Sequence, residues 1–169
     1  MARALALALG LLAASGGVLT LGGCGFTPLY ATPGVSTGLS GVEIQAPQGR
    51  VAYLIREDLD DALAHDKARP PAWRLSFTVT ETRDPRGLRR DDVAERYALG
   101  MTVRYALTSV TTGAVAKTGE VVTQVSYDAA DAPYAGIAAR QDSQERAASD
   151  AARRIAIELA AWLARQDHP

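Results

Sequence analysis

Trp73-Arg74-Leu75-Ser76-Phe77-Thr78-Val79-Thr80 alternates apolar and polar side chains without a break. Successive side chains on a strand point to opposite faces, so this octet reads as a strand with one dry face and one wet face. A half-wet strand belongs to an antiparallel or mixed sheet that is covered on one side only. Downstream, Tyr97, Leu99, Met101, Val103, Tyr105 and Leu107 repeat the period of two, and Thr111-Thr112-Gly113 then makes a turn. A further strand runs from about Ala116 to Tyr127, with Val121, Val125 and Tyr127 on one face. Val122 interrupts its alternation and leaves its register open. Arg74, Thr78, Thr80, Thr102 and Arg104 fall on the polar face of this sheet.

Upstream of the octet, Val51, Leu54, Ile55, Leu59, Ala62 and Leu63 follow helical spacing, with Arg56, Glu57, Asp60 and Asp61 on the opposite side. Pro70-Pro71 ends that unit. Val42-Glu43-Ile44 forms a short strand that stops at Pro47. At the other end, Asp131-Ala132-Pro133-Tyr134 reads as a helix entry with Pro near its start. From Ala148 a strongly patterned helix carries Ala151, Ala152, Ile155, Leu159, Trp162 and Leu163 on one face. Both amphipathic helices need a partner, and the dry face of the sheet offers one. The expected fold is α+β, a two-layer sandwich. A four-stranded, mostly antiparallel or mixed sheet carries two helices on one face, in the order β-α-β-β-β-α.

The first residues have a different character. Arg3 is the only charged side chain before an apolar stretch that runs from Ala4 to Gly23. Leu21-Gly22-Gly23-Cys24 follows, and Cys24 is the only cysteine. A short basic start, an apolar run and small residues before a break point describe an export signal. The Leu-Gly-Gly-Cys end resembles the lipobox of bacterial lipoproteins, in which the Cys is acylated and becomes the first mature residue. A membrane-spanning helix is the competing reading. Gly16-Gly17 and Gly22-Gly23 weaken such a helix, and no basic cluster flanks the run. The expected organisation is a cleaved signal peptide over residues 1–23, an acylated Cys24 with a flexible tether over 24–41, and one α+β domain over 42–166. The tether expectation rests on the Gly, Ser, Thr and Pro of residues 25–41.

Removing residues 1–23 from the 169 leaves 146, enough for one domain with a real core. The leader takes one Arg with it, leaving 17 basic and 19 acidic residues. That balance gives no nucleic-acid footprint. No disulfide can form within a chain whose one Cys is acylated. The two histidines, His65 and His168, have no companion at ligand spacing, so no metal site is expected. No Gly-x-Ser-x-Gly elbow is present, and the glycines of residues 34–41 lack the Lys of a phosphate loop. Neither catalysis nor a cofactor is expected. One segment stands out in charge: Arg83, Arg86, Arg89 and Arg90 fall within eight residues, among Asp84, Pro85 and Gly87. Guanidinium groups at a hairpin tip recognise phosphate bidentately. The stretch from Glu81 to Arg96 holds five Arg against five acids, so a self-neutralised loop competes with an anion-binding one. Arg86, Arg89 and Arg90 are the candidate anion-binding residues, with Lys117 near the adjacent turn as a helper.

Cys24-Gly25-Phe26-Thr27-Pro28-Leu29-Tyr30 resembles the mature N-terminus of the LptE family of lipopolysaccharide-assembly lipoproteins in its alphaproteobacterial form. The order of elements and the Asp131-to-Ala135 helix entry fit that family as well. The resemblance implies an outer-membrane lipoprotein on the periplasmic face, lodged as a plug in the LptD β-barrel. It would assist barrel assembly and the movement of lipopolysaccharide to the outer leaflet. It also implies lipopolysaccharide contact through basic residues near sheet-end loops, here Arg86, Arg89 and Arg90. Gly25 after the anchor Cys, rather than Asp, fits outer-membrane sorting. The alternative is a lipid-anchored periplasmic accessory subunit of an inner-membrane transporter.

Overall fold

The structure of the chain, a computed structural model, describes residues 34–88, 94–129 and 132–166. The elements run α1 (Val35–Ser40), β1 (Val42–Gln45), α2 (Arg50–Leu63), β2 (Trp73–Leu88), β3 (Ala94–Ser109), β4 (Val115–Asp128) and α3 (Pro133–Gln166). The four strands form one sheet in the order β1-β2-β3-β4. β1 pairs parallel with the start of β2, which leaves α2 as the crossover between them. The pairs β2–β3 and β3–β4 are antiparallel, so the sheet is mixed as the half-wet strands require.

Alternation in the sequence becomes alternation in burial. On the inner face Leu75, Leu99, Met101, Val103 and Leu107 are all fully buried. On β4 the inner positions are Val121, Thr123, Val125 and Tyr127, and Val122 points outward and is 57% exposed. The register that Val122 obscured is settled by its pairing with Thr102 on the wet face. Thr123 is buried among apolar groups because its hydroxyl donates to the Ala147 carbonyl of α3 at 3.3 Å.

The helices cover only the inner face. α2 presents Val51, Ile55, Leu59 and Leu63, one every four residues, and all are buried. It ends where Ala64 turns left-handed at φ 50° and returns its N–H to Asp60 and Asp61 carbonyls. α3 lays an alanine stripe on the sheet and on α2, in which Ala147, Ala148, Ala151 and Ala152 are fully buried. Small side chains allow the backbones to approach closely. Trp73 of β2 meets Trp162 of α3 edge-to-face with ring centroids 5.2 Å apart.

One expectation needs correction. The last part of the stretch read as tether is a helix, α1, with Val35 and Leu39 buried and Gly38 lying against Leu163. A six-residue helix has only two apolar positions, too few for a periodic signal. It is held by tertiary burial rather than by propensity. This third helix packs on α3 and α2, the two helices that cover the sheet. The final helix is one continuous rod from Pro133, starting at the entry that the sequence marks with Pro near its start.

Candidate functional site

β2 and β3 pair from Trp73↔Ser109 out to Leu88↔Ala94, past the end of the short β1. This far end meets Ala129, just past β4, and the first turns of α3. Arg83 lays its guanidinium over the Tyr97 ring, 3.7 Å from the centroid. Tyr97 in turn stacks on Tyr127 with centroids 5.6 Å apart and planes at 29°. These three side chains with Pro133, Ile137 and Arg140 line a cleft of about 320 Å³. Tyr127 is 7% exposed, and its hydroxyl has no hydrogen-bond partner among the described residues. A second hollow, of about 590 Å³, is lined by Arg86, Gly87, Arg96, Asp128 and Ala129. There Arg96 donates to Asp128 at 2.9 Å, and Arg86 sits opposite Arg96 in the strand register. Gly87 adopts φ 69°, a backbone state that a Cβ disfavours.

The far end is thus cationic, backed by stacked aromatic rings, and edged with apolar groups. Tyr134 is 88% exposed and Ile137 55%. Arg86 is exposed at this end. Arg89, Arg90 and Cys24 lie outside the described residues. Lys117 does not join Arg86. It pairs with Leu107, eleven positions along β3 from Arg96, which is roughly 35 Å at about 3.3 Å per residue. Its ammonium lies 3.8 Å from a Glu158 oxygen and 5.7 Å from the Tyr105 ring centroid. Turn adjacency in the sequence misled here, because the β2–β3 and β3–β4 turns stand at opposite ends of an antiparallel meander.

Sequence reasoning missed Arg96 and Arg140 as neighbours of the Arg cluster. Arg96 was detectable as the cross-strand partner of Arg86 once the hairpin was assumed. Arg140 lies two turns into α3, and only the packing of that helix brings it to the cleft. At the other end of the sheet, Tyr105 donates its hydroxyl to Glu158. Burial, and then the Glu158 carboxylate, hold that phenol well above its ordinary range. Among the described residues no three His, Cys, Asp or Glu side chains converge as metal ligands.

The fold and site define a half-open α+β sandwich with a cationic, aromatic-backed end. The family model LptE, described as lipopolysaccharide-assembly, matches residues 39–159, and the chain belongs to that family. A putative lipoprotein from Caulobacter crescentus is 50% identical over 79% of this chain and 97% of its own, with a TM-score of 0.68. The rare lipoprotein B of Shewanella oneidensis is 18% identical over 75% of this chain and 98% of its own, with a TM-score of 0.55. An uncharacterized lipoprotein B from Nitrosomonas europaea is 18% identical, covers 75% and 87%, and has a TM-score of 0.56. The last two share the fold. A search of curated proteins found no significant match.

Proposed function

We propose that this protein is an outer-membrane lipoprotein, cleaved before Cys24 and acylated there. It faces the periplasm and lodges as a plug in the LptD β-barrel. It supports assembly of that barrel and the transfer of lipopolysaccharide to the outer leaflet. It acts by binding, without catalysis and with no cofactor beyond the acyl anchor. Membership of the LptE family over residues 39–159 is the observation that carries this reading. The Leu-Gly-Gly-Cys sequence at 21–24 supports the anchor, since several acyl chains hold a protein that one chain could not. The cationic end supports lipid contact. Arg86, with Arg89 and Arg90 beside it in sequence, supplies guanidinium groups for phosphate, and the exposed Tyr134 and Ile137 supply apolar surface for acyl chains.

The test is affinity purification of the lipidated chain from detergent-solubilised membranes, with mass spectrometry of what accompanies it. A stoichiometric outer-membrane barrel is the expected partner. Recovery of the chain alone, or with an inner-membrane transporter, overturns the plug. Mass spectrometry of the N-terminal peptide checks the anchor separately, because an unmodified Met1 terminus is incompatible with it.

A further inference from the structure

Three large apolar side chains precede the described domain. Between Cys24 and Gly34 the chain reads Gly25-Phe26-Thr27-Pro28-Leu29-Tyr30-Ala31-Thr32-Pro33. Phe26 is one of only two Phe in the chain, and none of these nine residues is charged. A segment that stays in water is poor in aromatic groups and carries charge. The domain offers these side chains a place where the segment ends. A mostly apolar recess of about 510 Å³ is lined by Gly34 itself, with Thr37, Gly41, Arg69, Pro70 and Ala72. Its walls are fixed by the backbone. The Gly41 carbonyl accepts from the Ala72 N–H at 3.0 Å and the Trp73 N–H at 3.2 Å, and the Ala72 carbonyl accepts from the Val110 N–H. Gly38, also in the lining, lies against Leu163, which a Cβ there would meet at 3.0 Å. Gly34 adopts φ 90°, which turns the chain as it enters α1.

We infer that this recess seats the apolar side chains of residues 26–30, so that the stretch after the anchor joins the folded domain. The occupant is a segment of this same chain. Reach allows it: Tyr30 and Phe26 precede Gly34 by four and eight residues, which is at most about 14 and 29 Å of extended chain. Covalent linkage keeps the segment at high effective concentration beside the recess. Pro28 and Pro33 each fix one φ, which lowers the cost of ordering. Arg69 at the rim offers a guanidinium to an aromatic ring, the arrangement that Arg83 already makes with Tyr97. The segment holds no Lys or Arg, whereas segments that settle on a bilayer surface are rich in them. With Phe26 seated, only Gly25 stands between the domain and Cys24. The acyl chains of the anchor reading are then held against the α1 end of the molecule, while Arg86 lies at the opposite end of β2. That consequence rests on the anchor reading; the seating itself does not.

A photo-crosslinking residue in place of Tyr30 tests this in the full chain in its own membrane, with Tyr134 at the far end as the control position. The expected result is adducts within the chain, mapped by mass spectrometry to residues 34–41 or 69–72. They should be several-fold more abundant than adducts from Tyr134 to the same stretches. Adducts from position 30 to lipid alone, or to another protein alone, overturn the inference. Absence of any adduct to those two stretches overturns it too. As a second readout, the paired change Thr37→Glu and Ala72→Glu puts two charges into the apolar recess at exposed positions. It is expected to cut the internal adducts at least fivefold while circular dichroism shows the chain still folded. Undiminished adducts in the folded variant overturn the inference. The mass of the N-terminal peptide keeps the anchor separate. An unmodified Met1 terminus removes the anchor and leaves the seating supported by its internal adducts. An acylated Cys24 without those adducts keeps the anchor and removes the seating.

Discussion

Single atoms decide how tightly this fold closes. Tyr105 is 3% exposed because Gly119, its cross-strand partner, leaves room for the ring. A Cβ at residue 119 would lie 2.5 Å from that ring, and the hydroxyl is held by Glu158, so the ring cannot swing away freely. Gly119→Ala is therefore expected to cost about 1–3 kcal/mol by overpacking, although Ala suits a strand better than Gly. Urea denaturation measures it, and an unchanged midpoint would show that the ring yields. Asp58 behaves in the opposite sense. Burial first, then the neighbouring Glu57 and Asp61, raise its carboxyl above the ordinary value, while Arg153 opposes them. A raised folded-state value means that the charged form is penalised in the fold, so this site destabilises the fold above the raised value. The penalty fades as pH falls through that value towards the ordinary one near 4. Asp58→Asn should then raise the melting temperature at pH 7, and the gain should vanish below about pH 4. A gain that persists in acid would point to packing instead of charge.

At the scale of elements, α1 tests where the domain begins. Leu39 is 2% exposed in a six-residue helix that sequence patterning assigns to a tether. Leu39→Ala is expected to destabilise the domain by about 2–5 kcal/mol, the range for a buried leucine, whereas a tether position would shift stability by less than about 0.5 kcal/mol. The same contrast explains which parts of the fold were legible. β2 and β3 were plain because eight and eleven residues of strict alternation admit one register. α2 was plain because four leucine-sized positions recur every four residues. α1 offers two such positions, and the first turns of α3 bury Ser143 and Gln144 where an apolar stripe would be sought. Gln144 is there because it donates to Glu81 at 2.8 Å, a partner 63 residues away that no local pattern reveals. The candidate site was half legible for the same reason. Arg83 and Arg86 share one strand, but Arg96 and Arg140 reach them only through pairing and packing.

Over the whole molecule the meander separates two functions of charge. Lys117, at the β3–β4 end, is paired inward with Glu158, which also holds Tyr105. The cations at the β2–β3 end face outward around the cleft and the hollow. An anionic amphiphile should therefore distinguish the ends. Arg86→Glu adds a repulsive charge at an exposed position and breaks no buried contact. It is expected to weaken binding of lipopolysaccharide by roughly tenfold or more, since a charge-assisted hydrogen bond contributes about 1.5–3 kcal/mol and 1.4 kcal/mol is a factor of ten. Lys117→Met keeps the apolar stem and removes the ammonium, so it should leave affinity unchanged and lower stability slightly. Binding isotherms for both variants at two salt concentrations separate the cases. Electrostatic attraction to an exposed end is screened by salt, so the deficit of Arg86→Glu should shrink as ionic strength rises. An equal loss from both variants would place the ligand elsewhere than the far end. No loss from Arg86→Glu would assign that arginine to another contact or to solvent.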